Sequence, residues 1–389
     1  MAFASLLIGF AASLATALLL VPVVARIGTR AGWVDVPDRW RKNHTAPVPN
    51  AGGIAILVSA FVGVGAIALG AAFWPDAWGA IPALPARRVL VGALLASVLG
   101  LVDDRVDLRF QVKLAAQLLV VALTFSANLR IEVLDGVLGT GGVGMAASFA
   151  LTALWMVGMM NAVNLIDGMD GLAAGVVAIA LAGLAAVHAI GGDLGSLVLV
   201  VSVVGALLGF LRYNRSPASV FMGDSGSLFL GYVLAAYGLR GSAHEDPLLQ
   251  LIIPAVVMGL PLLDLIVSVL RRKLMGHSLF FADHDHIHHR LAAQMSSGEA
   301  VRVLYWFSVF VALGACAMAA FPAPLAALTF ALGSGVVYSF LRSIGYLPSP
   351  RRVAALLTNP EALRRAGQLR SARIERRRQQ REAKANQSA

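Results

Sequence analysis

NAVNLIDGMDGLAAG, residues 161–175, closes one apolar segment and opens the next, and places two Asn, two Asp and three Gly at the junction. The flanking segments, 145–160 and 171–190, carry almost no charge and read as consecutive membrane-spanning helices. The same pattern recurs along the whole chain. Of 389 residues, 58% are hydrophobic and 13% charged, against about 25% charged in ordinary soluble domains. Apolar stretches lie at 5–25, 51–73, 88–102, 112–128, 145–160, 171–190, 194–211, 226–239, 247–270, 301–320 and 324–341. The expected fold is therefore an all-α polytopic integral membrane protein of about 11 transmembrane helices.

The first stretch has no basic residues before it, and Arg26 and Arg30 follow it. This predicts a retained helix with its N-terminus outside, in place of a cleaved signal peptide. Alternation then puts 27 of the 31 Lys and Arg residues on the inner side and leaves only Arg87, Arg88, Arg130 and Arg240 outside. Such a bias is what the positive-inside rule requires. The net charge of +10 is thus explained by membrane orientation and calls for no nucleic-acid partner. Twelve of the basic residues lie in 342–384, which includes RIERRRQQREAK (373–384). The chain divides into a membrane body, 1–345, and a basic tail, 346–389, suited to lie near anionic membrane lipids. The single cysteine, Cys316, falls in an apolar span, so disulfides and thiolate metal sites are excluded.

The polar chemistry lies in the loops assigned to the inner side. DDRVDLRFQVK (103–113) combines Asp103, Asp104 and Asp107 with Arg105, Arg109 and Lys113, acids suited to a hard cation and bases suited to phosphate. In NAVNLIDGMDG, Asn161, Asn164, Asp167 and Asp170 recur at i, i+3 spacing, which on a helix gives one face. FMGDSGS (221–227) sets Asp224 at a helix start, where free amides can take an anion and a carboxylate can cap or hold Mg²⁺. HDHIHHRL (284–291) clusters His284, His286, His288 and His289 beside Arg290. With neither HExxH nor a cysteine pair nearby, these imidazoles read as donors to a pyrophosphate more readily than as zinc ligands. Acids for a divalent cation, and cations and histidines for phosphates, gathered on one membrane face, describe phosphoryl transfer from a soluble donor to a lipid phosphate.

From Trp33 to about Leu291 the motifs VDxPxxxRKxH (34–44), PxPxxGG (47–53), DDxxDLxxxxK (103–113), NxxNxxDGxDGLAxG (161–175), FMGDSGS (221–227) and HIHHRL (286–291) resemble, in order, those of the polyprenyl-phosphate N-acetylhexosamine-1-phosphate transferases. That resemblance implies a multi-pass protein of the bacterial cytoplasmic (inner) membrane with its active site facing the cytoplasm. It also implies transfer of N-acetylhexosamine-1-phosphate, most simply GlcNAc-1-phosphate, from a UDP-sugar to polyprenyl phosphate with release of UMP. Mg²⁺ is the implied cofactor, with Mn²⁺ as a substitute. By the same resemblance Asp224 is the metal ligand with Asn164 as a second contact, and Asp103, Asp104, Lys113 and Asp167 are catalytic. Lys42, Asn164, Asp170, Asn214, Phe221, His286, His288, His289 and Arg290 would bind substrate, Phe221 by stacking on uracil. The muramoyl-pentapeptide donor and a deoxy-HexNAc donor are variants of the same chemistry, and HIHHRL resembles the GlcNAc branch. A nucleotide-sugar transporter or lipid flippase is the reading from another class, and a homodimer is left open.

Overall fold

The computed structural model describes residues 2–36, 46–73, 87–133, 138–192, 197–240, 244, 246–274 and 285–347. Thirteen helices and one two-stranded ribbon are present among them: α1 (Ala2–Arg30), β1 (Val34–Asp35), β2 (Val48–Pro49), α2 (Gly52–Phe73), α3 (Arg87–Val106), α4 (Phe110–Phe125), α5 (Gly142–Ile166), α6 (Leu172–Ile190), α7 (Leu197–Asn214), α8 (Gly223–Leu239), α9 (Pro247–Val257), α10 (Gly259–Leu274), α11 (Ile287–Ala292), α12 (Ser297–Ala320) and α13 (Ala323–Ser343). Every apolar stretch of the sequence is helical, but the count of about 11 spans is not reproduced by length and apolarity. Seven helices qualify as crossing helices, α1, α2, α5, α6, α7, α12 and α13, or eight if the bent pair α9–α10 is one span. Helix α4 has 16 residues and α8 has 17, at or below the lower end of the roughly 17–25 that a hydrocarbon core demands. Helix α3 carries Arg87, Arg88, Asp103, Asp104 and Arg105 at its ends.

The bundle is organised around α8. Every residue from Ser225 to Gly238 is buried, so this helix is apolar all round because it is enclosed by protein and not by lipid. It packs against α2, α3, α5, α6 and α9. Helices α1, α2 and α7 form one flank, and α12 joins α6 to α13 on the other. Large apolar side chains such as Leu19, Leu119, Leu154 and Leu332 stand exposed around the outside, as a surface solvated by acyl chains allows.

Close approach to α8 selects small residues on its neighbours. A Cβ on Gly100 of α3 would fall on the carbonyl of Asp224 and the amide of Ser225, so only glycine lets α3 reach the first turn of α8. Gly65 of α2 has nothing within 4 Å of such a Cβ. Gly100→Ala is expected to lower the detergent-solubilised melting temperature through an overpacking cost of about 1–3 kcal/mol. Gly65→Ala should melt at or above the parent temperature in the same assay, because helical Ala is favoured over Gly.

Candidate active site

The site is assembled at the N-terminus of α8, where three separate stretches meet. The first amides of a helix have no acceptor within it. Here Asp104, at the end of α3, supplies one: Oδ1 accepts from the Asp224 amide at 2.9 Å and Oδ2 from the Ser225 amide at 3.1 Å. The carboxylate also complements the positive end of the helix dipole. Asn50 donates to Asp104 Oδ1 at 3.0 Å. Behind it the PNAGG stretch zips onto the FMGD loop, with Phe221 N donating to Pro49 O, Gly52 N to Phe221 O and Gly53 N to Met222 O, each at 2.9 Å. Gly223 sits at φ +71°, and a Cβ there would lie 2.7 Å from Asp104 Oδ2, so both conformation and space require glycine. The two amides that the sequence offers to a ligand anion are therefore already taken by the protein's own carboxylate.

Asp224 emerges beside this cap, its side chain 30% exposed against 9% for Asp103. Lys113 Nζ, from α4, bridges the two, 2.5 Å from Asp103 Oδ2 and 2.7 Å from Asp224 Oδ2. Asp103 Oδ1 accepts from the Leu108 amide at 2.9 Å, so this acid also closes the turn between α3 and α4. Asn164, near the end of α5, donates through Nδ2 to Asp224 Oδ1 at 2.7 Å and to Ser227 Oγ at 2.9 Å. Asp103, Asp104, Lys113, Asn164 and Asp224, drawn from four helices, are thus brought together.

The opening motif does not stay helical throughout. Helix α5 ends at Ile166, with Asp167 at its C-cap, and Gly171 at φ +76° starts α6. Asn161 and Asn164 share the helix, while Asp167 and Asp170 lie in the turn because Gly168 and Gly171 interrupt it. Burial, with the negative fields of Asp224, Asp104 and Asp170, pushes the Asp167 carboxyl up to about 7. Asp170 Oδ2 accepts from the Ala218 amide at 3.0 Å. Asn214 is buried, its Oδ1 accepting from Gly171 N at 3.0 Å and its Nδ2 donating to Val220 O at 2.8 Å. Asp170 and Asn214 thereby fix the 214–223 loop against the opening motif. Lys42 lies outside the described residues.

In the histidine loop, His286 Nδ1 lies 3.0 Å from Asp264 Oδ2. The ring of His288 stacks on His286 and meets His289, with centroids 5.7 and 4.2 Å apart. The His288 Nε2 atom is 2.8 Å from the position a Cβ on Gly168 would take, which seats the histidines against the opening motif. Burial, then the neighbouring His289, pulls His288 down to about 3, so it is neutral at ordinary pH. Its buried Nε2 has no hydrogen-bond partner among the described residues. Arg290 is committed elsewhere: it makes a bidentate pair with Asp285 at 2.6 and 2.7 Å, donates to Gly345 O and lies over the ring of Tyr346.

The donor set fits a hard divalent ion. Among the described residues four carboxylates, Asp103, Asp104, Asp167 and Asp224, face one ammonium, and the excess negative charge adds to burial in raising Asp167. Among the described residues no three acids or imidazoles close on one point. An ion held by one carboxylate and a carboxamide, with substrate phosphates and water completing its shell, is the pattern Mg²⁺ prefers. The sequence did not single out Asn50, Ser227, Asp264, Tyr305, whose OH donates to Gly171 O at 2.6 Å, or Tyr346. Of these Asn50, inside PNAGG, and Ser227, inside FMGDSGS, stand in motifs that could have flagged them.

Comparison with known proteins shows which proteins the chain resembles. Residues 86–242, from α3 to just beyond α8, match the model of glycosyl transferase family 4. The chain is 36% identical over 312 residues to a probable undecaprenyl-phosphate N-acetylglucosaminyl 1-phosphate transferase of Bacillus subtilis, covering 80% of this chain and 84% of that protein. It is 33% identical over 337 residues to a decaprenyl-phosphate N-acetylglucosaminephosphotransferase of Mycobacterium tuberculosis, covering 79% and 81%. Similarity to a phospho-N-acetylmuramoyl-pentapeptide-transferase of Symbiobacterium thermophilum, 38% over 103 residues, covers 26% of this chain and 29% of the other.

Two outcomes follow from the geometry. Asp104→Ala orphans two helix amides and should lower stability by about 1–3 kcal/mol, read as a lower melting temperature, whereas Asp224→Ala orphans no backbone group and should melt near the parent. His288, neutral in the fold and protonated when unfolded, makes the unfolded chain bind more protons below about 6.5, the ordinary imidazole value. Its contribution therefore lowers stability as pH falls from about 6.5 toward 3. Melting curves of His288→Gln across that range should show a shallower acid loss than the parent.

Proposed function

Because the chain belongs to glycosyl transferase family 4, alongside polyprenyl-phosphate N-acetylglucosamine-1-phosphate transferases, we propose that it transfers GlcNAc-1-phosphate from UDP-GlcNAc to undecaprenyl or another polyprenyl phosphate. In this reaction an oxygen of the lipid phosphate attacks the sugar-bearing phosphorus, the bond from that phosphorus to the bridging oxygen breaks, and UMP leaves. The product, a polyprenyl-diphosphate sugar, begins lipid-linked synthesis of a cell-envelope glycan. The observation that carries the reading is Asp224, held between Lys113 and Asn164 at 2.7 Å each and open to a ligand at the crowded acidic end of α8. The choice of GlcNAc is supported by its appearance in the names of the relatives that align along most of their length, while the muramoyl-pentapeptide match covers about a quarter of this chain.

Mg²⁺, with Mn²⁺ as a substitute, would be held by Asp224 with Asn164 and would neutralise charge on the diphosphate and the departing UMP. Lys113 is placed to hold a phosphate oxygen while offsetting the repulsion between Asp103 and Asp224, which it bridges. Asp103, paired with Lys113 and free of the helix cap, is the better placed of the adjacent acids to take a proton from the lipid phosphate. Asp104 fixes the backbone on which Asp224 stands. His288, neutral and with a buried Nε2 lacking a partner among the described residues, contributes an uncharged imidazole beside Gly168. The bias of 27 basic residues to four supports a site on the cytoplasmic face of the bacterial inner membrane.

The test is UMP release from UDP-GlcNAc and undecaprenyl phosphate by the purified protein in detergent with Mg²⁺. The expected result is stoichiometric UMP and lipid-diphosphate GlcNAc, abolished by EDTA and restored by Mg²⁺. Asp224→Asn, which keeps volume and removes charge, should reduce kcat by at least about a hundredfold, the scale of deleting one charge-stabilising group in a transition state. Intact UDP-GlcNAc, with UDP-MurNAc-pentapeptide consumed, would assign the donor to the other branch. Passage of intact UDP-GlcNAc into proteoliposomes would make the protein a transporter.

A further inference from the structure

Asp264 lies in α10, just past the 91° bend that separates α9 from α10, and is 1% exposed. A buried carboxylate in a membrane bundle is costly unless donors surround it. Its donors come from two distant parts of the chain. Oδ2 is 3.0 Å from His286 Nδ1, while Oδ1 accepts from the Ile287 amide at 2.9 Å and from the Tyr346 hydroxyl at 2.6 Å. Ser268 Oγ, itself receiving a bond from Arg271 at 3.3 Å, lies 3.2 Å from the same imidazole nitrogen. Arg290, paired with Asp285, donates to Gly345 O and so ties the loop to the segment after α13.

We propose that Asp264 is a positioning residue of the transferase site: with Tyr346 it fixes His286 Nδ1 as the protonated nitrogen and holds the stacked imidazoles in place beside Gly168. The inference rests on the transferase reading above for its consequence in turnover, and on the side-chain geometry for its chemistry. A carboxylate that accepts at Nδ1 sets the tautomer and leaves Nε2 as the ring's working nitrogen. Asparagine at 264 cannot reproduce this. Two donors converge on Oδ1, so the amide oxygen must remain there, and the NH₂ group then faces His286 Nδ1. That nitrogen is forced to accept and the ring proton moves to Nε2.

The experiment combines kinetics and ¹⁵N-histidine NMR on the full-length protein in detergent, with the His286 signal assigned by His286→Ala. In the parent, Nδ1 should carry the proton, and in Asp264→Asn the proton should sit on Nε2. With UDP-GlcNAc and undecaprenyl phosphate, Asp264→Asn should lower kcat/KM by about ten- to a hundredfold, as loss of a carboxylate that orients a working histidine does elsewhere. The Asp264→Asn/His286→Ala double variant should be no slower than His286→Ala alone, because a residue acting through His286 has nothing left to act on. Additive losses, or a parent His286 unprotonated at Nδ1, overturn the proposal. If Asp264→Asn does not fold, Tyr346→Phe serves: its smaller loss must vanish in the His286→Ala background, and persistence of the loss there overturns the proposal. Should the parent leave UDP-GlcNAc untouched, the transferase reading falls, and the tautomer measurement still decides whether Asp264 governs His286.

Discussion

The amino end of a helix buried on every side cannot turn to water for its free amides, and the rest of this structure follows from how that need is met. Asp104 supplies the acceptor to α8, which requires α3 to end beside the first turn of α8. Gly100 makes that approach sterically possible, and Asn50 braces the carboxylate from the other side. The acid that stabilises the helix thereby fixes the backbone of the acid that would meet a ligand. These two carboxylates lie 120 positions apart in the sequence and meet only in the fold.

Charge balance explains why these elements remain distinct. Asp103 and Asp224 share Lys113, whereas Asp167 has no cation partner among the described residues and is raised to about 7 by burial and by its acidic neighbours. An acidic cluster with one described ammonium is stable only in part without further positive charge. The strain is shared across the cluster: burial raises the Asp104 carboxyl as well, and pushes Asp224 up to about 6 despite Lys113.

The spans were legible because lipid and protein both demand apolar side chains, and for the same reason their surroundings were not. Helix α8 reads in sequence like any lipid-facing span, yet it is the enclosed axis of the bundle. The polar loops were legible as motifs, and the structure brings Asp103, Asp104, Lys113, Asn164 and Asp224 together. The fate of individual groups was hidden, since it depends on partners distant in sequence: Asn214 and Asp170 spend their hydrogen bonds on neighbouring backbone, and Arg290 on Asp285 and Gly345. Asp264 was hidden most completely. It is a lone acid in an apolar run, and its partners lie 22, 23 and 82 positions away.

That last separation has a bearing on biogenesis. Translation delivers Asp264 first, the histidine loop about two dozen residues later, and Tyr346 only after α12 and α13 have been made. Until the closing segment arrives, the buried carboxylate lacks its phenolic donor and the loop lacks its tie to Gly345. The nascent chain therefore completes its histidine shell only after α13 has been made, so that a ribosome stalled within that helix leaves a bundle whose imidazoles are not yet anchored.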